Sequence, residues 1–297
     1  MDFSKDLKIN KFGYIEIKSK PDPAELKKYY QDKYYQHDKG AHSHIYSEEE
    51  KQFFRNKVEQ KHYVLTSLGL NSPIPKLLDI GAGEGWALSY FREQGWDCRG
   101  LDFSCYGCET QNPHVLNDLV TGDVFENVSN IVKTGECFDV IWLDNVLEHV
   151  IDPFALINTL KIIINDGGYL VIEVPNDFSL TQKYAIDKGL IDSEFWVAVP
   201  DHLSYFNRDG LINLCAEAGW SVEKVLADFP IDFFLLNDSS NYVADSSKGK
   251  SCHHARVRLD NLFHNIGVEK SNNLYESLAE MGLGRQIIGF FTKSYTS

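Results

Sequence analysis

Leu77-Leu78-Asp79-Ile80-Gly81-Ala82-Gly83-Glu84-Gly85 is the stretch that decides the fold. An apolar run of strand length, Lys76–Ile80, meets three glycines in five positions. Trp86–Gln94 then follows with helical spacing and stops at Gly95. Glycine lets the chain turn sharply and approach a ligand closely, and a helix start offers N–H groups that the helix itself does not use. Strand, glycine-rich loop and helix in that order hold nucleotides in many folds. Two details narrow the choice. A dinucleotide loop of the G-x-G-x-x-G type needs a small third residue where Trp86 stands, and the Gly-Lys-Ser/Thr ending of a phosphate-binding loop is absent.

Outward from the loop, apolar runs alternate with amphipathic stretches. Asp97–Leu101, Phe138–Leu143 and Tyr169–Val174 read as strands, and Pro153–Ile164 reads as a helix that stops at Asn165-Asp166-Gly167-Gly168. Asn207 caps a helix ending near Gly219, and Trp220–Leu226 and Arg285–Thr292 complete the strands. Such alternation predicts parallel β-α-β units in an α/β, doubly wound sheet. Residues 1–72 read as an N-terminal helical cap. Asp22 and Pro23 start one helix, tyrosines 29, 30, 34 and 35 follow, and a second helix spans Ser47–Leu68. The main domain then covers 73–297, with a polar insertion at about 232–282 of the kind that forms lids.

The formal net charge of −14 argues against nucleic acid as a partner. No apolar run approaches the ~18 residues of a membrane span, and the N-terminus lacks a signal-peptide pattern. The expectation is a soluble cytoplasmic protein with six free thiols. Cys105 and Cys108 form a lone C-x-x-C, Cys252-His253-His254 is isolated, and His42 and His44 have no accompanying carboxylate pattern, so no metal site is expected.

Further motifs follow in order: Gly100-Leu101-Asp102-Phe103, Gly122-Asp123-Val124, Leu143-Asp144-Asn145-Val146-Leu147-Glu148-His149-Val150 and Asp201-His202-Leu203-Ser204-Tyr205-Phe206. Together with the loop they resemble class I S-adenosylmethionine (SAM)-dependent methyltransferases over about residues 76–226. The N-terminal tyrosines and the insertion loosely resemble the small-molecule branch found in bacterial surface-polysaccharide biosynthesis. The resemblance implies a Rossmann-like sheet of seven strands with an antiparallel last strand. It also implies a SAM site formed by Asp79, Gly81, Ala82, Gly83, Asp102, Phe103, Asp123, Val124, Leu143 and Asn145, covered by Tyr34 and Tyr35. Asp102 would accept from the ribose hydroxyls and Asp123 from the adenine amino group.

Methyl transfer from a sulfonium needs mainly positioning, plus a base when the acceptor is a hydroxyl. His202 and His149 have the pKa range for that role; each also has a plain reading, as a structural hydrogen bond or a helix-start residue. Trp196 and Tyr205 are candidates to line the acceptor pocket. Arg256 and Arg258, in a basic run inside an acidic protein, are candidates to hold an anionic small-molecule acceptor. The expected activity is O-methylation of a sugar or of a phosphorylated or nucleotide-linked sugar. The alternatives are an aromatic or quinone acceptor, against which the basic insertion argues, and a SAM-binding protein without catalysis. Apolar cap surfaces would allow a homodimer.

Overall fold

The computed structural model describes residues 6–22, 24–26, 29 and 45–294. Its centre is a seven-stranded sheet. Strands β1 (Leu7–Ile9) and β2 (Ile15–Ile17) lie outside it. Its members are β3 (Lys76–Ile80), β4 (Asp97–Asp102), β5 (Leu119–Thr121), β6 (Phe138–Asp144), β7 (Ile164–Pro175), β9 (Trp220–Ala227) and β10 (Gln286–Lys293). The spatial order is β5-β4-β3-β6-β7-β10-β9. The first five strands are mutually parallel, and β10 runs antiparallel to both β7 and β9. The expected doubly wound sheet with an antiparallel last strand is present.

Period-two alternation divides the core. Leu78, Ile80, Ile141, Leu143, Leu170 and Ile172 face α4 (Val124–Thr134), α5 (Pro153–Leu160) and α7 (Arg208–Glu217). Leu77, Val140, Trp142, Tyr169, Val171 and Phe290 face α1 (Glu48–Ser67), α2 (Trp86–Glu93) and α9 (Val268–Glu280). Short α3 (Tyr106–Gln111) and α6 (Leu180–Asp187) complete the layers with α8 (Gly249–Ile266).

Three expectations are corrected. The cap is helical only in part: residues 7–17 form a hairpin, and β2 pairs with β8 (Ser204–Tyr205) in a small separate sheet. Leu7-Lys8-Ile9 and Ile15-Glu16-Ile17 carry the apolar–polar–apolar period of strands around a turn with Gly13 at φ 97°. Next, Asn165–Gly168 do not separate helix from strand. They bulge within β7, where Asp139 alone opposes them and accepts a hydrogen bond from Asn165. Finally, the polar insertion is not a lid. It folds as α8 and α9 against α1, and its polar groups face that helix: Lys57 pairs with Asp260, Asn56 donates to Asn261, and Gln60 donates to Ser271.

One lysine ties α1 to the sheet. The Lys61 ammonium is buried over the Trp142 ring, 2.6 Å from Asp144 and 2.5 Å from Glu173. Burial alone would lower its pKa, but the two carboxylates outweigh burial and raise it. Lys61→Met should therefore destabilise the protein by about 2–4 kcal/mol at pH 8, since Asp144 and Glu173 keep some contact with water. Burial raises the Asp144 carboxyl and the Lys61 ammonium opposes that rise, so without Lys61 the deficit shrinks as pH falls. Urea unfolding at pH 8 and pH 5 checks this, and an equal deficit at both would refute it.

Candidate active site

The five parallel strands end on one side, and their loops enclose a cavity of about 1080 Å³. That is at the upper end of ordinary ligand clefts, ~300–1,000 Å³. The reversal of β10 brings its first residues, with Arg285 just before them, to the same rim. The wall can be walked in strand order: Asp123 after β5, Asp102 and Phe103 at β4, Gly81 and Gly83 after β3, Asn145 to Asp152 after β6, and Arg285 at β10.

The glycine loop is held by its neighbours. The Gly81 and Ala82 amides donate to the Leu101 carbonyl at 2.8 and 3.1 Å. Gly81 has φ 74°, and a Cβ there would lie 2.4 Å from Val146 Cγ2. Gly83, at φ 54°, lines the cavity, and a Cβ there would meet nothing closer than the Gly81 carbonyl at 3.9 Å. Asp102 fixes the loop from β4, accepting from the Gly83 amide at 2.8 Å and the Ser104 amide at 3.0 Å. Asp123 caps α4, accepting from the Phe125 and Glu126 amides. Trp86, which excludes the dinucleotide reading, stacks on Phe54 of α1 at 4.9 Å and donates to Glu84 at 2.8 Å.

Of the residues expected at the cofactor, Gly81, Gly83, Asp102, Phe103, Asp123, Val124 and Asn145 line the cavity. Asn145 is left-handed (φ 54°), a conformation asparagine tolerates, and donates its amide to the Glu173 carbonyl. Asp79, Ala82 and Leu143 are buried outside the lining. Burial, with Asp144 and Asp102 close by, pushes the Asp79 carboxyl well up. Tyr34 and Tyr35 lie outside the described residues.

The structure brings His149 and His202 together, with ring centroids 4.9 Å apart in the cavity wall. The backbone holds them there. The Leu203 amide donates to the Glu148 carbonyl at 2.8 Å, and His149 Nδ1 is 2.7 Å from the Asp201 carbonyl. Glu148, between them, is almost fully buried, and burial pushes its carboxyl up to about 8.

The four acceptor candidates are elsewhere. Trp196 and Tyr205 are buried in a third apolar cluster, both edge-on to Phe178, and pack this rim without lining it. Arg256 lies over the Phe53 ring and Arg258 pairs with Glu49 of the acidic first turn, so both cations face α1, and neither lines the cavity. Glu148, Asp201 and Arg285 were not singled out from sequence. An acid flanked by Val146, Leu147 and Val150 is a burial signal for Glu148, whereas Arg285 becomes visible only once β10 is known to reverse.

Comparison with known proteins bears on the family and the fold. Residues 51–225 match the methyltransferase-domain family, which covers more than half the chain. The ubiquinone biosynthesis O-methyltransferase of Aliivibrio fischeri (strain MJ11) is 30% identical over 116 residues, 37% of this chain and 48% of that one. The enzyme of the same name from Cereibacter sphaeroides (strain ATCC 17025 / ATH 2.4.3) is 30% identical over 112 residues, 36% and 45%. The chain thus spans about half the length of these curated relatives. The structure of a putative sarcosine dimethylglycine methyltransferase from Galdieria sulphuraria superposes with a TM-score of 0.50 at 16% identity, covering 80% of this chain and 85% of that one, which shows the shared fold. The chain belongs to the methyltransferase-domain family, and its fold is that of the class I enzymes whose cofactor is S-adenosylmethionine.

Proposed function

We propose that this protein methylates a hydroxyl oxygen of a small molecule, with His202 and His149 activating that hydroxyl. The observation that carries the reading is one continuous cavity. It joins the glycine loop, Asp102 and Asp123 at one end to the paired histidines at the other. SAM, when bound, supplies an electrophilic methyl group on a sulfonium. The protein's own tasks are orientation and removal of the hydroxyl proton, which a positioned histidine performs with a typical gain of ~10²–10⁴.

A sugar acceptor is the first reading. Glu148, His149, Asp152, Asp201, His202, Arg285 and Gln286 ring the far end of the cavity, a polar density that suits a polyhydroxylated ligand. A phenolic acceptor is the second, favoured by the printed names of the Aliivibrio and Cereibacter relatives. The basic insertion no longer argues against a phenol, because its arginines face α1. An anionic acceptor loses the same support.

Release of S-adenosylhomocysteine against a panel of nucleotide sugars, simple glycosides and catechols tests the function. Acceptor-dependent release is expected; cofactor binding with no release for any hydroxyl compound would leave only a binding protein. His202→Ala should lower kcat by about 10²–10⁴ and leave S-adenosylhomocysteine affinity unchanged. Asp102→Ala should weaken that affinity about 10–100-fold by calorimetry, the equivalent of losing charge-assisted hydrogen bonds worth ~1.5–3 kcal/mol. Arg258→Ala should leave the acceptor KM unchanged, since Arg258 pairs with Glu49; a raised KM would restore the acceptor role for this cation.

A further inference from the structure

We infer that Glu148, His149 and His202 form a binding site for one divalent first-row transition-metal ion at the acceptor end of the cavity. The inference rests on the reading that acceptor chemistry occurs there. It says how the two histidines act: as ligands of an ion that binds the acceptor oxygen.

Three observations carry it. First, one ligand atom from each of the three residues lies within 4.8 Å of the others, and His149 Nε2 is 3.8 Å from Glu148 Oε1. Donors at the usual ~2.0–2.2 Å from one ion stand roughly 3.0–3.5 Å apart, so small side-chain rotations close the set. Second, Glu148 is 1% exposed yet lines the cavity, and its Oε2 has no hydrogen-bond partner. A buried carboxylate oxygen without a donor leaves a strong acceptor unsatisfied, and a cation satisfies it. Asp177, Glu173 and Asp201 add negative charge around it. Arg285 serves Asp177 and Lys61 serves Glu173, and among the described residues neither of these cations pairs with Glu148. Third, His149 is set for ligation. Its Nδ1 donates to the Asp201 carbonyl at 2.7 Å, which orients the ring so that Nε2 is the atom nearest Glu148.

Two histidines and one carboxylate are a donor set that suits Mn²⁺, Fe²⁺, Co²⁺ or Zn²⁺ and leaves positions open for a substrate oxygen. The acceptor hydroxyl would occupy one. The ion withdraws electron density from that oxygen, the O–H bond breaks, and the proton passes to cavity water. The oxygen then forms its bond to the methyl carbon as the carbon–sulfur bond breaks, and the sulfur keeps that electron pair.

Mn²⁺ and Zn²⁺ are the probes, applied to the full chain after EDTA treatment and desalting. Calorimetry with either ion, and the loss of free Mn²⁺ signal in electron paramagnetic resonance, should give one site per chain. Glu148→Gln and His202→Ala should each weaken it at least about 10-fold, the lower bound for losing even an outer-shell partner. His254→Ala, on the surface of α8, should not. S-adenosylhomocysteine binding by each variant reports that it is folded. No saturable site in the wild-type chain, or a site that Glu148→Gln and His202→Ala leave intact, overturns the inference. Failure here does not touch the methyltransferase reading. Acceptor turnover that survives EDTA would show the histidines taking the proton directly, whereas absent turnover with intact metal binding would remove the function and keep the site.

Discussion

Carboxylates crowd the carboxyl end of the sheet, and Lys61 makes that crowding tolerable. Asp79, Asp102, Asp144 and Glu173 all belong to strands ending at the cavity, and Asp79, Asp144 and Glu173 are influenced by the buried Lys61 ammonium. Isolated charges of one sign at short range are strongly unfavourable in a partly dry environment. The lysine enters from α1, outside the βαβ units, so the N-terminal helix supplies a cation to the carboxyl end of the sheet. Residues 48–67 are thus part of the layer that α2, α8 and α9 build on this face. That dependence also explains the polar insertion. Once α1 is committed to holding Lys61 in place, its other polar side chains need partners, and α8 and α9 supply them through Asp260, Asn261 and Ser271.

Much of this was legible because the strongest sequence signals are local. β3, the loop, α2 and β4 are adjacent in the chain, so one pass over residues 76–102 specifies the strand, the turn, the helix and the carboxylate that braces the loop. The long helix before them was legible as well, since the Ser47/Glu50 capping box and its acidic first turn mark its start. The third parallel strand was hardly legible, because β5 is only Leu119–Thr121 at an open edge and carries too few buried side chains to set a period. The hairpin was hidden by a different cause. Its strands are three residues each, and their partner, β8, lies nearly two hundred residues away. The role of Lys61 could be suspected from spacing, since it shares a helical stripe with Val58, Val64 and Leu65, but its two partners sit on strands far along the chain. Charge runs misled for a related reason: a basic helix in an acidic protein finds its counter-charge wherever the fold places one, and here that is the first turn of α1.

The acceptor end is built on the same non-local logic. The segment after β6 supplies Glu148 and His149, and the segment before β8 supplies Asp201 and His202. Neither forms a regular element long enough to hold a side chain within a few tenths of an ångström. They hold each other: Leu203 donates to the Glu148 carbonyl, His149 meets the Asp201 carbonyl, and Tyr205 donates its hydroxyl to the His202 carbonyl. β8 then clamps the pair to the N-terminal hairpin through Ile15 and Tyr205. Tyr205 and Trp196 contribute by being buried, which makes this rim rigid without either ring touching the cavity.

The division of labour has a consequence for specificity. The cofactor end is braced by backbone hydrogen bonds to β4 and by Gly81, where Val146 leaves no space for a side chain, so it has little freedom to vary. The acceptor end depends on two loops that contact each other and on the start of β10, which the antiparallel reversal delivers to the rim. A change in loop length between β7 and β8 would move His202 relative to Asn145 and leave Asp102 in place. For the proposed O-methylation, acceptor choice rests with the cavity-lining residues among 148–152, 201–202 and 285–286. Neither the overall charge of −14 nor the basic helix α8 bears on it directly, because neither reaches that part of the wall. In the proposed reaction, the chemistry of those few side chains, two imidazoles and one buried carboxyl within reach of each other, would decide which hydroxyl becomes nucleophilic.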